Sequence, residues 1–245
     1  MIRQLILVAA IIALLACVAC SPSRVEPRVE SAVTPPNEIV DFKVLYAQNC
    51  AGCHGADGKG GAALSLADPV FLAITDDSVI RRIASKGMPG TPMPAFAQSS
   101  GGMLTDKQID ALVQGIRSWA KTDALDRGAS LPSYEAQITG SPQRGADVYK
   151  TFCSSCHGAN GRGGKAGSIV DGSYLALASN QDLRLSVIIG RPAQGAPDWR
   201  GNVPGRPMSE QEISDVVAWL VAQRPAIPGQ PYPESPVVQA KEGLR

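Results

Sequence analysis

Two cysteines three residues apart with a histidine directly behind them occur twice in this chain. The copies are Cys50-Ala51-Gly52-Cys53-His54 and Cys153-Ser154-Ser155-Cys156-His157. Thiols at i and i+3 can each close a thioether onto a vinyl group of one porphyrin. The histidine that follows then lies beneath the same ring, where its imidazole can bind the iron; this is the pattern of c-type haem attachment. Each copy runs into nearly the same loop, His-Gly-Ala-Asp-Gly-Lys-Gly-Gly from His54 and His-Gly-Ala-Asn-Gly-Arg-Gly-Gly from His157. A cysteine pair of this spacing also serves as a redox dithiol or as half of a zinc site. Zinc would need all four cysteines together, yet the pairs lie about a hundred residues apart, each in its own repeat. A thioredoxin-like site belongs in an alternating strand–helix pattern, and none is visible. Two covalently bound haems are the expected cofactors.

The elements that must position these groups repeat as well. Tyr46 stands four residues before Cys50, and Tyr149 four before Cys153. The stretches Ile39–Cys50 and Arg144–Cys153 read as short helices entering the motif. Thirty-nine residues past His54 lies Met93-Pro94-Ala95-Phe96, and at the same distance past His157 lies Ala196-Pro197-Asp198-Trp199. Each half then closes on a helix opened by a capping box, Thr105 with Gln108 and Ser209 with Glu212, in which side chains satisfy free amides of the first turn. Their apolar positions, Ile109, Leu112, Val113 and Ile116, then Ile213, Val216, Val217 and Leu220, share one helical face.

The remaining sequence concerns address. Arg3 precedes an apolar run from Leu5 to Ala16, too short to span a bilayer and suited to a signal sequence. Leu14-Leu15-Ala16-Cys17 resembles a bacterial lipobox, so Cys17 is the expected lipidation site. Cys20 is the rival, and an uncleaved signal anchor is a third possibility. Each of these leads to an extracytoplasmic, periplasmic location at the membrane. Removing residues 1–16 takes Arg3 alone among the charges and leaves 22 basic residues against 22 acidic ones, a balance that suggests no nucleic-acid partner. Aromatic residues make up only 5% of the 245 residues, thin for a core unless a buried porphyrin supplies apolar surface. The expected organisation is a signal segment (1–20), a Pro-rich tether (21–37), two domains (38–122 and 141–224), a linker (123–140) and a Pro-rich tail (225–245).

On these motifs the chain resembles the class I cytochrome c family, as a tandem dihaem protein similar to the dihaem subunits of some bacterial respiratory oxidases. The resemblance implies an all-α fold, two tandem cytochrome c domains of a few helices wrapped around one haem each. It implies that Cys50, Cys53, Cys153 and Cys156 anchor the rings and that His54 and His157 are proximal ligands. In the family the first and last helices cross closely, glycine on one and an aromatic ring on the other. Gly145 and Trp219 fit those roles in the second half; in the first half Phe42 and Gly115 fit them with the helices exchanged. A swap that preserves summed volume is what tight packing requires.

The chain holds two histidines in all, both spent as proximal ligands, so bis-histidine haem is excluded unless another subunit contributes. Met93, in Thr91-Pro92-Met93-Pro94, stands where the family places its distal ligand, and its prolines stiffen the loop. Met88 and Met103 read as packing or haem-edge residues. In the second half the register puts Ala196 at the ligand position, and alanine cannot bind iron. Met208, the one methionine of that half, is the expected distal ligand there, delivered by a folded-back loop. Its alternative role is a hydrophobic staple against Ile213, which leaves the second iron open or water-bound. Lys59 and Arg162 are solvated loop charges or propionate partners, Arg191 is a weaker propionate candidate, and Phe96 and Trp199 match each other near the haems.

Filled by histidine and methionine, such an iron changes oxidation state with little ligand motion and does little else. The expected function is electron carriage between redox proteins at the outer face of the cytoplasmic membrane, without substrate turnover. Two alternatives stand beside it. One is the cytochrome subunit of a larger oxidase, dehydrogenase or photosynthetic assembly. The other is a peroxidase-like dihaem enzyme, favoured only by Ala196 and opposed by the lack of a third histidine for distal acid–base work.

Overall fold

The computed structural model describes residues 34–120 and 130–225. The signal segment, Cys17, Cys20, most of the tether, residues 121–129 at the end of the first domain and start of the linker, and residues 226–245 lie outside the described residues. Both haem motifs belong to one compact unit that begins at Asn37. Among the described residues there is no β-strand; Ala97–Leu104 and Arg191–Ala196 form only isolated bridges.

Among the described residues five α-helices build each half, and side chains cap all but one (Asp77–Lys86) of those outside the haem motifs. In the first half, Asp41 accepts from the Val44 amide at 2.9 Å and opens α1 (Phe42–Asn49). Then α2 (Ala51–His54) carries the haem motif. Asp68 caps α3 (Pro69–Ile74), whose Pro69 lies in the first turn, where a missing N–H costs nothing. There follow α4 (Asp77–Lys86) and α5 (Asp106–Arg117), the latter begun by the expected Thr105–Gln108 capping box. The second half repeats the order with α6 (Pro142–Phe152), α7 (Ser154–His157), α8 (Gly172–Leu177), α9 (Asn180–Ile189) and α10 (Glu210–Val221). The Ser209–Glu212 box is formed in α10. α6 begins two residues before Arg144 because Ser141 caps it and Pro142 follows. The middle helices α3, α4, α8 and α9 are new relative to the motif reading, although Asp68-Pro69 and Ser179-x-x-Asp182 are their start signals.

Both terminal-helix crossings are present. α1 packs on α5 and α6 on α10. A Cβ added at Gly115 would run into the Phe42 ring, and one added at Gly145 would meet the Asp215 backbone and the Trp219 Cβ. The exchange of small and large partners between halves is therefore physical contact. Around it Ile109, Leu112, Val113 and Ile116 are buried, as are Ile213, Val216 and Leu220, while Val217 is half-buried.

Two further parts are supplied from different helix positions in the two halves. Trp119 meets Tyr46 edge-on, ring centroids 5.0 Å apart, and Trp219 stacks on Tyr149 at 4.3 Å. Arg117 donates to the carbonyls of Leu72 (2.5 Å) and Thr75 (2.5 Å) and to Asp77 (2.6 Å). Arg224 donates to Leu175 (3.1 Å), Ala178 (2.5 Å) and Asn180 (2.6 Å). Each guanidinium satisfies the free carbonyls at the end of α3 or α8, groups a helix cannot pair internally. In the first half the arginine precedes the tryptophan in the chain, the tryptophan lying just past the closing helix; in the second the arginine follows, just past the helix end.

The halves also touch. α3 packs on α9, Arg191 Nη1 donates to the Ala62 carbonyl at 2.8 Å, and Ser179 Oγ reaches Met88 Sδ at 3.7 Å. Residues 133 and 134 are pinned by Arg184, 2% exposed, which donates to the Ser133 (2.8 Å) and Tyr134 (3.2 Å) carbonyls and to Glu210 (2.6 Å). A buried guanidinium needs such partners.

Asp215 fastens the start of α6 to α10. Its carboxylate accepts from the Ser141 amide (2.7 Å), Arg144 (2.8 Å) and Gln211 (2.9 Å). Burial pushes the carboxyl up, but hydrogen bonds from Arg144, the Ser141 amide and Gln211 outweigh it and hold it below the ordinary carboxylate range. A depressed folded-state value contributes stability that is full above the unfolded-state pKa of about 3.9 and is lost as pH falls through the folded value. Asp215→Asn is therefore expected to lower the melting temperature at pH 7. The gap to the wild-type protein should close below about pH 4. A gap that stays constant from pH 7 to pH 3 would contradict this role.

Candidate haem-binding sites

α1 and α6 each deliver the first cysteine by continuing their hydrogen bonding into it. Cys50 N donates to Tyr46 O and Cys153 N to Tyr149 O, both at 2.9 Å. His54 N then donates to Cys50 O and His157 N to Cys153 O, both at 3.0 Å. This one-turn helix places thiols at i and i+3 on one face, as a single porphyrin edge requires. Tyr46 Oη donates to the Gly55 carbonyl at 2.9 Å, and Tyr149 Oη likewise bonds the Gly158 carbonyl, bracing the turn behind each histidine.

The imidazoles are held alike. His54 Nδ1 lies 2.7 Å from the Leu64 carbonyl, and His157 Nδ1 lies 2.8 Å from that of Gly167. A carbonyl only accepts, so Nδ1 carries the proton and Nε2 keeps its lone pair for a metal; the same bond fixes the ring's orientation. Burial lowers the His54 pKa, partly offset by the bond to Leu64, which favours the neutral form a ligand needs. Each site thus offers two thiols and an oriented imidazole, the donor set of haem c.

The rival readings of the cysteines fit less well. Burial, reinforced by its partner cysteine, pushes the Cys50 thiol up to about 11, and the same causes push Cys153 up to about 11. A redox dithiol needs a depressed value. Among the described residues no cluster of three or more histidine, cysteine or acidic side chains could hold a zinc ion.

On the distal side, Gly87 turns the chain out of α4 at φ +72°, a conformation that favours glycine, and an added Cβ there would meet the Met93 carbonyl at 2.7 Å. Met88 N donates to Met93 O at 3.1 Å, and Thr91 Oγ1 donates to Met88 O at 2.8 Å, closing a small rigid loop that carries Met93 half-buried. Met88 has its sulfur against Ser179, and Met103 is 82% exposed. In the second half Gly190 turns out of α9 at φ +61°, and Arg191 N donates to Ala196 O at 2.9 Å. Ala196 thus occupies the backbone place of Met93. Met208 is 4% exposed, and its N–H donates to Trp199 O at 3.0 Å, just as Leu104 N donates to Phe96 O at 2.8 Å.

Of the lesser candidates, Lys59 and Arg162 are exposed, Phe96 is half-buried and Trp199 is buried. Arg191, the weaker propionate candidate from sequence, donates from Nη1 to the Ala62 carbonyl beside the first haem loop. Trp119 and the arginine clamps escaped the sequence reading because they sit out of register between the halves.

Known proteins give the same picture. Residues 37–114 match the family model described as cytochrome c oxidase, cbb3-type, subunit III, and residues 142–223 match that of cytochrome c. The cbb3-type cytochrome c oxidase subunit CcoP of Azospirillum sp. (strain B510) is 32% identical over 135 residues, 51% of this chain and 40% of that protein. The cytochrome bc1 complex cytochrome c subunit of Mycobacterium bovis is 24% identical over 189 residues, 76% of this chain and 64% of its own length. The chain thus spans less than two thirds of either relative. A solved structure, the KustC0563 c-type cytochrome, is 32% identical and aligns over 33% of this chain and 99% of its own, with a TM-score of 0.29. Two helical domains in tandem, each with its own attachment motif and oriented imidazole, make this chain a dihaem member of the class I cytochromes c, with two covalently bound haem c groups.

Proposed function

We propose that the protein carries electrons, one per haem, between redox partners of a membrane-associated respiratory complex. The observation that carries this is the matched proximal geometry, in which both histidines are locked by Nδ1 bonds of 2.7 and 2.8 Å while no third histidine exists in the chain. Haem c, when bound, supplies a one-electron iron couple. The chain's residues do the rest. Cys50, Cys53, Cys153 and Cys156 would fix the rings, His54 and His157 would each bind an iron, and Met93, on the loop closed by Met88, would supply a thioether to the first.

The relatives' names support a place within a respiratory assembly, since they are subunits of a cbb3-type oxidase and of a bc1 complex. No helix among the described residues is long and apolar enough to cross a membrane. We propose attachment to the outer face of the cytoplasmic membrane through lipid on Cys17. The test is a redox titration of the purified chain with its haems counted. Two haems, each taking up one electron reversibly, with no turnover of added peroxide, is the expected result. Sustained peroxide turnover would sink the carrier reading.

A further inference from the structure

We infer that the second haem lacks a methionine ligand and that its distal face binds a small π-acceptor molecule of the carbon monoxide or nitric oxide class. This rests on the dihaem reading above. Met88 and Met93 are bridged by the bond from Met88 N to Met93 O, and Arg191 and Ala196 by the bond from Arg191 N to Ala196 O, at the same distances from His54 and His157. The two loops are closed by a backbone bond at the same positions, although the second also holds a 3-10 turn (Pro192–Gln194) and a return bond from Ala196 N to Arg191 O, and the thioether of one is a methyl group in the other.

Met208 does not replace it. It repeats Leu104 in four ways: it immediately precedes the capping-box residue, its N–H bonds the aromatic residue of the loop, it is buried (4% against 6%), and it belongs to the same apolar core. A leucine does this work in the first half, so the position calls for an apolar side chain. Its sulfur is covered by protein, whereas Met93 stays half-buried.

Nothing else in that segment offers a strong ligand. Between α9 and α10 there is no lysine, histidine, tyrosine or cysteine. Asp198 is engaged by Arg200 at 2.5 Å, Asn202 donates to the Asp198 carbonyl at 3.1 Å, and Arg206 is bound to Glu212 at 2.6 Å. A haem with one protein ligand adds a sixth from solution. A ligand position that offers only a methyl group, with the segment's one carboxylate already held by Arg200, selects for a small neutral molecule over one that must be cleaved.

The test is carbon monoxide titration of the fully reduced chain, with haem counted separately as its pyridine adduct and ferric spin state read by electron paramagnetic resonance. The expected result is two haems, one carbon monoxide per chain and one high-spin ferric haem. Met208→Leu should leave all three values unchanged, since leucine fills the equivalent place in the first half. Met93→Ala should raise the stoichiometry to two. The inference is overturned if the wild-type chain with two haems binds none, if Met208→Leu gains a second equivalent, or if Met93→Ala still binds one. Fewer than two haems per chain would instead overturn the dihaem reading beneath it.

Discussion

Gly145→Leu is expected to remove a large share of the stability of the carboxy-terminal haem domain. An added Cβ at Gly145 would meet the Trp219 Cβ at 2.6 Å and press on the Asp215 carbonyl. Both are atoms fixed to helix backbone, so no rotamer change can make room. Overpacking of this kind costs about 3 kcal/mol, the upper end of its usual range. The total stability of a domain is only roughly 5–15 kcal/mol. Denaturant unfolding followed by haem absorbance and circular dichroism reads the effect, and an unchanged midpoint would refute the close crossing. Gly115→Ala differs because its neighbour is the Phe42 ring, the far end of a side chain. Pairing it with Phe42→Leu should recover part of the loss, with a coupling of about 1–2 kcal/mol in a double-mutant cycle.

Removing the Met93 thioether by Met93→Ala should lower the potential of the first haem by on the order of a tenth of a volt or more, within the ~0.8 V that axial ligands span. A soft sulfur stabilises the ferrous state, and its loss leaves that iron easier to oxidise. Met88→Ala is the matched comparison. Its sulfur faces Ser179 of the other half, so the potential should barely move. Spectroelectrochemical titration distinguishes the haems by their separate midpoints. A large shift in Met88→Ala with none in Met93→Ala would mean that the ligand had been assigned to the wrong methionine.

Much of this was legible in the residues because haem attachment is local. The pentapeptide specifies its own one-turn helix, and a capping box announces a helix start within four residues. The Phe42–Gly115 and Gly145–Trp219 pairs were also legible, since two copies of one fold can be compared position by position. What escaped were parts that long side chains deliver from shifted positions. Trp119 and Trp219 reach equivalent tyrosines, and Arg117 and Arg224 reach equivalent carbonyls, from turns that do not align. A reach of several ångströms decouples function from register. The hydrogen bonds from His54 to Leu64 and from His157 to Gly167 were likewise invisible, because the accepting group is backbone and carries no residue signature. Met208 reads two ways from its residue type, as a ligand or as an apolar staple, and the bond it shares with Leu104 is the observation that favours the second.

The exchanged glycine and aromatic partners bear on how a duplicated chain avoids confusing its own halves. Sibling domains tethered to each other invite α1 to dock on α10, or α6 on α5, during folding. The first mismatch would force Phe42 against Trp219, and the second would leave Gly145 facing Gly115 across a void. Crowding costs about 1–3 kcal/mol, and a void of aromatic size costs about 3–5 kcal/mol. Each closing helix therefore recognises its own partner and rejects its sibling's. Giving both halves the same arrangement, by Phe42→Gly with Gly115→Phe, should raise the fraction of cross-paired chains on refolding. Limited proteolysis would detect it, and an equal yield of correctly paired protein would show that the linker alone keeps the siblings apart.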